Sequence, residues 1–172
     1  SAVGFIPGIQ AGNCITVDEG QIFQEIEGFG AAFTDSTGYV LNQLASGQVR
    51  TNVLRSLFSR DGTGIGLSFI RLPMGGSDLA RFHYSYDDRP AGQTDTNLAF
   101  FSIAHDLTDI IPLIQQARQL NPLMKLMASP WSPPGWMKTS DSLIGGSLLP
   151  SMYGVYASYF VKFIQAYDAQ GI

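Results

Sequence analysis

The sequence predicts an α/β protein in which strands and helices alternate along the chain. Short runs rich in β-branched residues precede longer segments with helical spacing of their apolar residues, in the order strand, helix, strand, helix, strand, helix. Strands that alternate with helices of this length form parallel βαβ units with right-handed crossovers. The 172 residues, 45% hydrophobic and only 14% charged, have the composition of a folded globular chain.

Residues 1–27 predict a small β element. Two short apolar runs, Ile15 to Val17 and Ile22 to Phe29, are separated by a turn signal at residues 18–20. Small residues follow in the segment from Gly28 to Ala32 and allow close approach of the backbone. Asp35 or Ser36 is expected to cap the next helix, and we prefer capping to a catalytic role for Asp35.

Two helical segments come next, with a break at Gly47. Apolar residues keep helical spacing in the ranges 39–44 and 49–57. The glycine-rich stretch Gly62 to Gly66 has the composition of a phosphate-binding loop, but it precedes a strand instead of following one. We therefore interpret it as a turn.

The second strand, Leu67 to Leu72, leads into a loop with two candidate site residues. Arg71 lies near the end of the strand, and burying it without a carboxylate or carbonyl partner would cost several kcal/mol. No such partner is evident nearby in the sequence. Asp78 follows in a glycine-loosened loop, where it can either accept hydrogen bonds from sugar hydroxyls or form an Asx turn.

A long segment, residues 81–101, lacks a clear period and predicts a surface loop of the kind that often carries function. The helix after it is expected to be capped by Thr108, with Pro112 in its first turn. The last helix is expected to start near Ser151 and to end at Gly171, with an aromatic stripe on one face.

Between these helices, the third strand, Lys125 to Ser129, stops in a stiff aromatic loop. Three prolines within residues 130–134 prevent further pairing and restrict the loop to few conformations. The loop carries both tryptophans, Trp131 and Trp136, and an indole on a rigid loop is a flat wall suited to a sugar ring. The alternative for each tryptophan is packing under the loop.

The composition excludes several classes of function. A net charge of -4, with ten Lys and Arg spread along the chain, argues against a nucleic-acid partner and favours a neutral substrate. Cys14 is the only cysteine and His83 and His105 are the only histidines, so an intrachain disulfide is impossible and a metal site or a Ser-His-Asp site is poorly supported. We expect no cofactor and no transmembrane segment, because no apolar run approaches ~20 residues. Since the first residue is Ser1, we expect a processed product or a piece of a longer protein.

Four blocks of the chain, in order, resemble glycoside hydrolase family 30, which includes glucosylceramidases and fungal and bacterial β-1,6-glucanases. The blocks are Gly28-Phe29-Gly30 with Thr34-Asp35, Arg71-Leu72-Pro73-Met74 with Ser77-Asp78, Ala128-Ser129-Pro130-Trp131-Ser132-Pro133 with Trp136-Met137-Lys138, and Tyr159-Phe160-Val161-Lys162-Phe163.

The resemblance implies a (β/α)8 TIM barrel of which residues 28–172 form about the first three βα units, with residues 1–27 as part of a side β-domain. It implies that Asp78 and Trp131 bind the hydroxyls of the sugar at the cleavage site and that Arg71 lies beside the catalytic carboxylates. Trp136 is then left to pack the loop. Ser77 stands where lysosomal glucosylceramidases have a cysteine, so the chain looks closer to the microbial branch.

The family's retaining mechanism needs two carboxylates about 5 to 5.5 Å apart, and both are glutamates. The chain has only Glu19, Glu25 and Glu27, and none matches either catalytic position. We expect the acid/base and the nucleophile to lie beyond Ile172, in the missing half of the barrel, so that this N-terminal fragment alone is inactive. The parent would cleave β-glucosides such as glucosylceramide or β-1,6-glucan in an extracellular or lysosome-like compartment. The alternative is a noncatalytic sugar-binding module.

Overall fold

A computed structural model describes Gly8, residues 12–13 and residues 15–172, so Cys14 lies outside the described residues. The predicted α/β architecture is found. Its elements are helices α1 (Asp35–Tyr39) and α2 (Gly47–Phe58), strand β1 (Phe69–Met74), helix α3 (Ala104–Leu120), strand β2 (Lys125–Pro130) and helix α4 (Tyr153–Asp168). A π-helical turn, Val40–Leu44, continues α1, and 3-10 turns lie at Gly135–Met137 and Pro150–Met152. Within the described part, no helix is long and apolar enough to cross a bilayer.

The strands are parallel and their carboxyl ends meet at one edge. β1 pairs with β2 in a register that runs from Phe69 opposite Lys125 to Met74 opposite Pro130, with α3 as the crossover. On the other side of β1, residues 29–33 run parallel to it, because Phe33 N–H donates to the Arg71 carbonyl at 2.9 Å. The loops that follow residue 33, β1 and β2 therefore emerge side by side.

The segment that pairs with β1 lies further toward the C-terminus than the predicted strand, Ile22 to Phe29. Pairing with β1 begins only at Phe29, and a Cβ on Gly30 would lie 1.4 Å from the Phe69 carbonyl oxygen, so glycine is required there. Residues 15–28 form no strand, although the turn at residues 18–20 is present. Ile15 and Ile22 are 95% and 88% exposed because no neighbouring strand of the described chain covers them, and a strand pattern becomes a strand only with a partner. The division into residues 1–27 and 28–172 stays a prediction.

The first two helices confirm the break at Gly47 but change the caps. Thr34, not Asp35 or Ser36, caps α1, because its Oγ1 accepts a hydrogen bond from Thr37 N–H at 3.4 Å. Ser46 caps α2 in the same way. The Asp35 side chain therefore does not cap α1, and its carboxylate makes other hydrogen bonds.

The prediction for the start of α3 was wrong. The helix begins at Ala104 instead of Thr108, and Pro112 lies in its interior. A proline inside a helix leaves the carbonyl four residues earlier without its donor, which here is the carbonyl of Thr108. The Asn42 side chain donates to that carbonyl at 2.9 Å, and this replacement allows the helix to continue through Pro112.

Residues 81–101 lack helix and strand as predicted, but they do not form a surface loop throughout. Tyr84, Tyr86 and Leu98 are buried in the core. The hydroxyls of Tyr84 and Tyr86, together with that of Tyr167 from α4, donate to the buried carboxyl group of Asp106 at 3.1, 2.6 and 2.6 Å. These hydrogen bonds hold residues 81–101 against α3 and α4.

The last helix carries the predicted aromatic stripe but has a different start. Tyr159, Phe163 and Tyr167 are buried on its inner face. Ser151 does not cap it, since the 3-10 turn at Pro150–Met152 leads directly into Tyr153. The helix ends at Asp168, and Gly171 follows with a φ of 73°.

Candidate functional site

The two tryptophans of the loop after β2 have different surroundings. Trp136 is 5% exposed and donates from Nε1 to the Asp87 carbonyl at 2.8 Å, which fixes the loop to the segment after β1. Trp131 directly follows β2 and is 46% exposed. The assignment of Trp136 to loop packing agrees with this geometry, and Trp131 is the indole that a ligand can reach.

Arg71 of β1 supports Trp131 from the neighbouring strand. Its guanidinium carbon lies 5.5 Å from the centre of the Trp131 ring, and Nη2 donates to Ser129 Oγ at 3.2 Å. A guanidinium over an indole face is an attractive cation–π contact. The expected carboxylate or carbonyl partner of Arg71 is not found among the described residues; a hydroxyl and an aromatic ring take its place.

Asp78 lies in the loop after β1 and is exposed. The Asx turn considered for it is not formed; Ser77 Oγ instead accepts the hydrogen bond from Leu79 N–H at 3.3 Å. In the part of the chain that the structure describes, the Asp78 carboxylate has no hydrogen-bond donor of its own. Its oxygens are therefore available to hydroxyl groups of a ligand.

The loop that carries Asp78 is held by Asp35 from the first βα unit. The buried Asp35 carboxylate accepts hydrogen bonds from Arg81 at three points: from the backbone N–H at 2.8 Å, Nε at 3.0 Å and Nη2 at 2.9 Å. His105 Nε2 of α3 lies 2.6 Å from Asp35 Oδ1. Ser36 N–H also donates to the Leu79 carbonyl at 3.2 Å. The segment from Leu79 to Arg81 is thus fixed at both ends, directly after Asp78.

The charge of Asp35 is stabilised by these donors. Burial alone raises the pKa of the carboxyl group, but the hydrogen bonds from the Arg81 guanidinium and backbone, with that from His105, outweigh it and lower the pKa to about 2. The same contact raises the pKa of Arg81. Asp109 adds a second carboxylate to Arg81 at 3.3 Å. Arg81 and Asp35 are consequently both charged at neutral pH.

Lys138 links the aromatic loop to the segment that follows it. Its Nζ donates to Ser132 Oγ at 3.0 Å and to the Leu143 carbonyl at 2.9 Å. Burial lowers the pKa of this ammonium group. The contact holds residues 143–145 close to Trp131.

The three glutamates of the chain lie outside the paired strands. Glu19, Glu25 and Glu27 are exposed, and Glu27 pairs with Lys125 at the first residue of β2, opposite the end that carries Trp131. Asp87 has its pKa raised to about 6, chiefly by burial and then by Asp95, but it is 1% exposed and cannot touch a ligand in this arrangement. The groups that the loops after β1 and β2 leave exposed to a ligand include the Trp131 indole and the Asp78 carboxylate.

The contacts of three side chains at this site were not predicted from the sequence. Ser129 and Asp35 lie inside the blocks already noted, but their roles depend on residues far along the chain, Arg71 and Arg81. Lys138 carried no local signal for its contact with Leu143.

Comparisons with known proteins identify the family of the chain. Residues 26–172 match the model of the glycosyl hydrolase family 30 TIM-barrel domain. A putative glucosylceramidase 4 from Caenorhabditis elegans is 42% identical over 165 residues, which are 92% of this chain and 31% of that protein. An endo-1,6-β-D-glucanase from Neurospora crassa is also 42% identical, over 86% of this chain and 31% of its own length.

Among solved structures, an endo-β1,6-glucanase superimposes with a TM-score of 0.79 at 35% identity, covering 91% of this chain and 35% of that one. The chain therefore spans about a third of the length of the relatives it matches.

Proposed function

The chain belongs to glycosyl hydrolase family 30, and from that premise we propose that it supplies part of the sugar-binding site of an enzyme that hydrolyses β-glucosidic bonds with retention of configuration. The observation that supports this most directly is the exposed Trp131, held by Arg71 at the carboxyl ends of two paired parallel strands. Barrel enzymes keep their active sites at this end of the strands. The unengaged carboxylate of Asp78 emerges one loop away, where it would accept hydrogen bonds from the sugar.

The substrate is proposed to be a β-linked glucose derivative, either glucosylceramide or a β-1,6-glucan. Both substrate names occur among the relatives at equal identity. Ser77, in place of the cysteine of the lysosomal branch, suits the microbial branch and does not separate the two substrates. A location outside the cell or in a lysosome-like compartment is proposed from these substrates alone.

The catalytic carboxylates are proposed to come from residues other than 1–172. The support is that Glu27 lies at the opposite end of the strands and that Glu19 and Glu25 are exposed outside the paired segments. Polypeptide 1–172 alone is then expected to be inactive. Hydrolysis of an aryl β-glucoside by purified 1–172, abolished by Asp78→Ala, would overturn this part of the proposal.

A second candidate is a noncatalytic sugar-binding module. The specific observation in its favour is that the described residues offer an indole, a guanidinium and a carboxylate at one edge, but no pair of glutamates there. This module would bind glucosides with the same residues and would release them unchanged.

One experiment separates these functions. The full-length protein is incubated with an aryl β-glucoside and with β-1,6-glucan, and the anomer released first is identified by NMR. Release of the β-anomer supports a retaining glycosidase, and Asp78→Ala and Trp131→Ala should each lower kcat/KM at least tenfold, or about 1.4 kcal/mol. Asp61→Asn, an exposed carboxylate in the turn before β1, is the control and should change nothing. Binding without turnover would establish the sugar-binding module instead.

A further inference from the structure

Asp87 has a buried carboxyl group that lacks a hydrogen-bond donor. Its side chain lies in the segment that follows β1 and is 1% exposed. Among the residues that the structure describes, none donates to Oδ1 or Oδ2, although both oxygens are closed off from solvent. The adjacent Asp88 is exposed, yet its carboxylate accepts two hydrogen bonds from Ser85, from N–H at 2.8 Å and from Oγ at 2.6 Å. An ionised carboxylate is unfavourable in the surroundings of Asp87, whereas a neutral carboxyl group is tolerated there.

The charged and titratable groups around Asp87 come from two elements. They are Asp88, Arg89 and Asp95 of its own segment, and Tyr159 and Lys162 of α4. The loop after β2 contributes the uncharged indole of Trp136.

The two cations near Asp87 are directed toward other groups. Lys162 Nζ donates to the Leu98 carbonyl at 2.9 Å. The guanidinium carbon of Arg89 lies 3.8 Å from the centre of the Phe100 ring. Within the described chain, neither cation donates a hydrogen bond to the Asp87 oxygens, so the charge of an ionised Asp87 would not be neutralised by direct contact.

Asp95 opposes a negative charge on Asp87. Burial acts to raise the pKa of Asp95, but hydrogen bonds from the backbone N–H groups of Phe100 and Ala99 outweigh it and lower this pKa. The Phe100 N–H donates to Asp95 Oδ2 at 2.7 Å. Asp95 is therefore the ionised member of the pair, and burial together with the charge of Asp95 raises the pKa of Asp87 to about 6.

A proton fits this site better than a metal ion. The described residues contain no group of three His, Cys, Asp or Glu side chains that could hold a metal. The positive charges of Arg89 and Lys162 also act on Asp87 and would repel a further cation. A proton neutralises the carboxyl group without additional ligands.

We propose that Asp87 is a proton-binding site that controls the contact between the loops after β1 and β2. With the proton bound, the neutral carboxyl group stays buried, and the Asp87 backbone carbonyl accepts the hydrogen bond from Trp136 Nε1 at 2.8 Å. Loss of the proton leaves a negative charge beside Asp95, so residues 85–88 move toward water to solvate it. This movement takes the carbonyl away from Trp136 and loosens the loop that carries Trp131. Only the consequence for sugar hydrolysis rests on the proposed function.

The test replaces the protonated carboxyl group by a permanently neutral one. Urea unfolding of the full-length protein is compared with that of Asp87→Asn at pH 4.5 and pH 7.5, in EDTA and in calcium chloride. Because the pKa of Asp87 is about 6 in the folded protein and 3.8 when unperturbed, the folded wild type loses stability relative to the variant as the pH rises through this range. The ratio of the unfolding equilibrium constants, wild type over variant, should increase about twentyfold between the two pH values.

Two variants keep this result interpretable. Asp168→Asn, at the exposed end of α4, is the matched control, and its ratio should change less than about twofold. Asp87→Ala also lacks the ionisable group and should show the same increase whatever its absolute stability. An unchanged ratio for both Asp87 variants would overturn the proton-binding site. An increase that depends on calcium would overturn it in favour of a bound cation.

The contact between the loops is followed without any need for turnover. In full-length protein labelled with ¹⁵N-tryptophan, the indole N–H signal of Trp136 is assigned by its loss in Trp136→Phe. This signal should move upfield between pH 5 and pH 7 in the wild type, because its hydrogen bond to the Asp87 carbonyl weakens, and should stay in place in Asp87→Asn. A signal that behaves alike in both proteins would refute control of the contact by Asp87.

Activity measures the consequence for the site. The ratio of kcat/KM for an aryl β-glucoside, Asp87→Asn over wild type, should be close to one at pH 4.5 and should rise at least about threefold at pH 7.5. The titration of catalytic carboxylates cancels in this ratio because both proteins share them. A constant ratio would overturn the effect of Asp87 on the sugar site. The absence of turnover by both proteins would count against the proposed function alone, since unfolding and NMR decide the proton-binding site independently.

Discussion

Replacing Asp35 by asparagine tests whether this carboxylate holds the loop that carries Asp78. Asparagine keeps the shape of the side chain but removes its charge. It also turns an amide NH₂ toward Arg81 and His105, which both present donors to Asp35. Because the Asp35 side chain is almost completely buried, water cannot replace the lost interactions.

The size of the effect follows from the pKa of Asp35. A carboxyl group with a pKa of about 2 in the folded protein and 3.8 when unperturbed contributes roughly 2.4 kcal/mol to stability at pH 7. Since the folded pKa is the lower one, the contribution is complete well above pH 3.8 and is lost as the pH falls through about 2. At pH 3 the same relation leaves roughly 1.3 kcal/mol.

Urea unfolding of the full-length protein measures this difference. Asp35→Asn should lower the free energy of unfolding by about 2 kcal/mol at pH 7, and its deficit relative to wild type should shrink by about 1 kcal/mol at pH 3. The exposed Asp61→Asn serves as the control, with no loss expected at either pH. A deficit that is identical at the two pH values, or no larger than that of Asp61→Asn, would refute the argument that the charge of Asp35 stabilises the fold.

Two further variants test the packing around the site. Gly30→Ala should destabilise the protein by at least about 3 kcal/mol in thermal unfolding, because its Cβ would overlap the Phe69 carbonyl. Gly154→Ala is the control; its Cβ would meet open space, and the variant should be neutral or slightly stabilising. Equal effects of the two substitutions would contradict the reasoning. Tyr167→Phe removes one of three hydroxyl donors to the buried carboxyl of Asp106 and should cost about 1 to 3 kcal/mol in urea unfolding. A loss below about 0.5 kcal/mol would show that the other two donors suffice.

The sequence was sufficient for features that are encoded locally. The order of the two later strands and the helices around them, the break near Gly47 and the rigid turn after β2 follow from periodicity, glycine and proline, and the structure confirms them. Trp136 is buried and Trp131 is exposed, as the different tasks implied for them require, and the sugar contact of Trp131 stays a prediction.

The errors arose where a contact distant in sequence decides the structure. The apolar run from Ile22 to Phe29 has the composition of a strand, but only its last residue meets β1. Helix α3 passes through Pro112 because Asn42, from the preceding helical pair, supplies the missing donor. Neither the pairing of Phe29 with β1 nor the hydrogen bond from Asn42 could be identified from neighbouring residues.

The same long-range dependence organises the site, since each of its loops is fixed by a neighbouring βα unit. Asp35, before β1, holds Arg81 after it. Arg71 of β1 holds Trp131 after β2, and Trp136 after β2 holds the carbonyl of Asp87 after β1. We therefore expect a substitution in one loop to change the ligand contacts proposed for the next. Because each of the two strand ends holds the loop of the other, we expect substitutions of Asp78 and Trp131 to be non-additive. The loss of binding free energy in the double variant should be smaller than the sum of the losses in the two single variants.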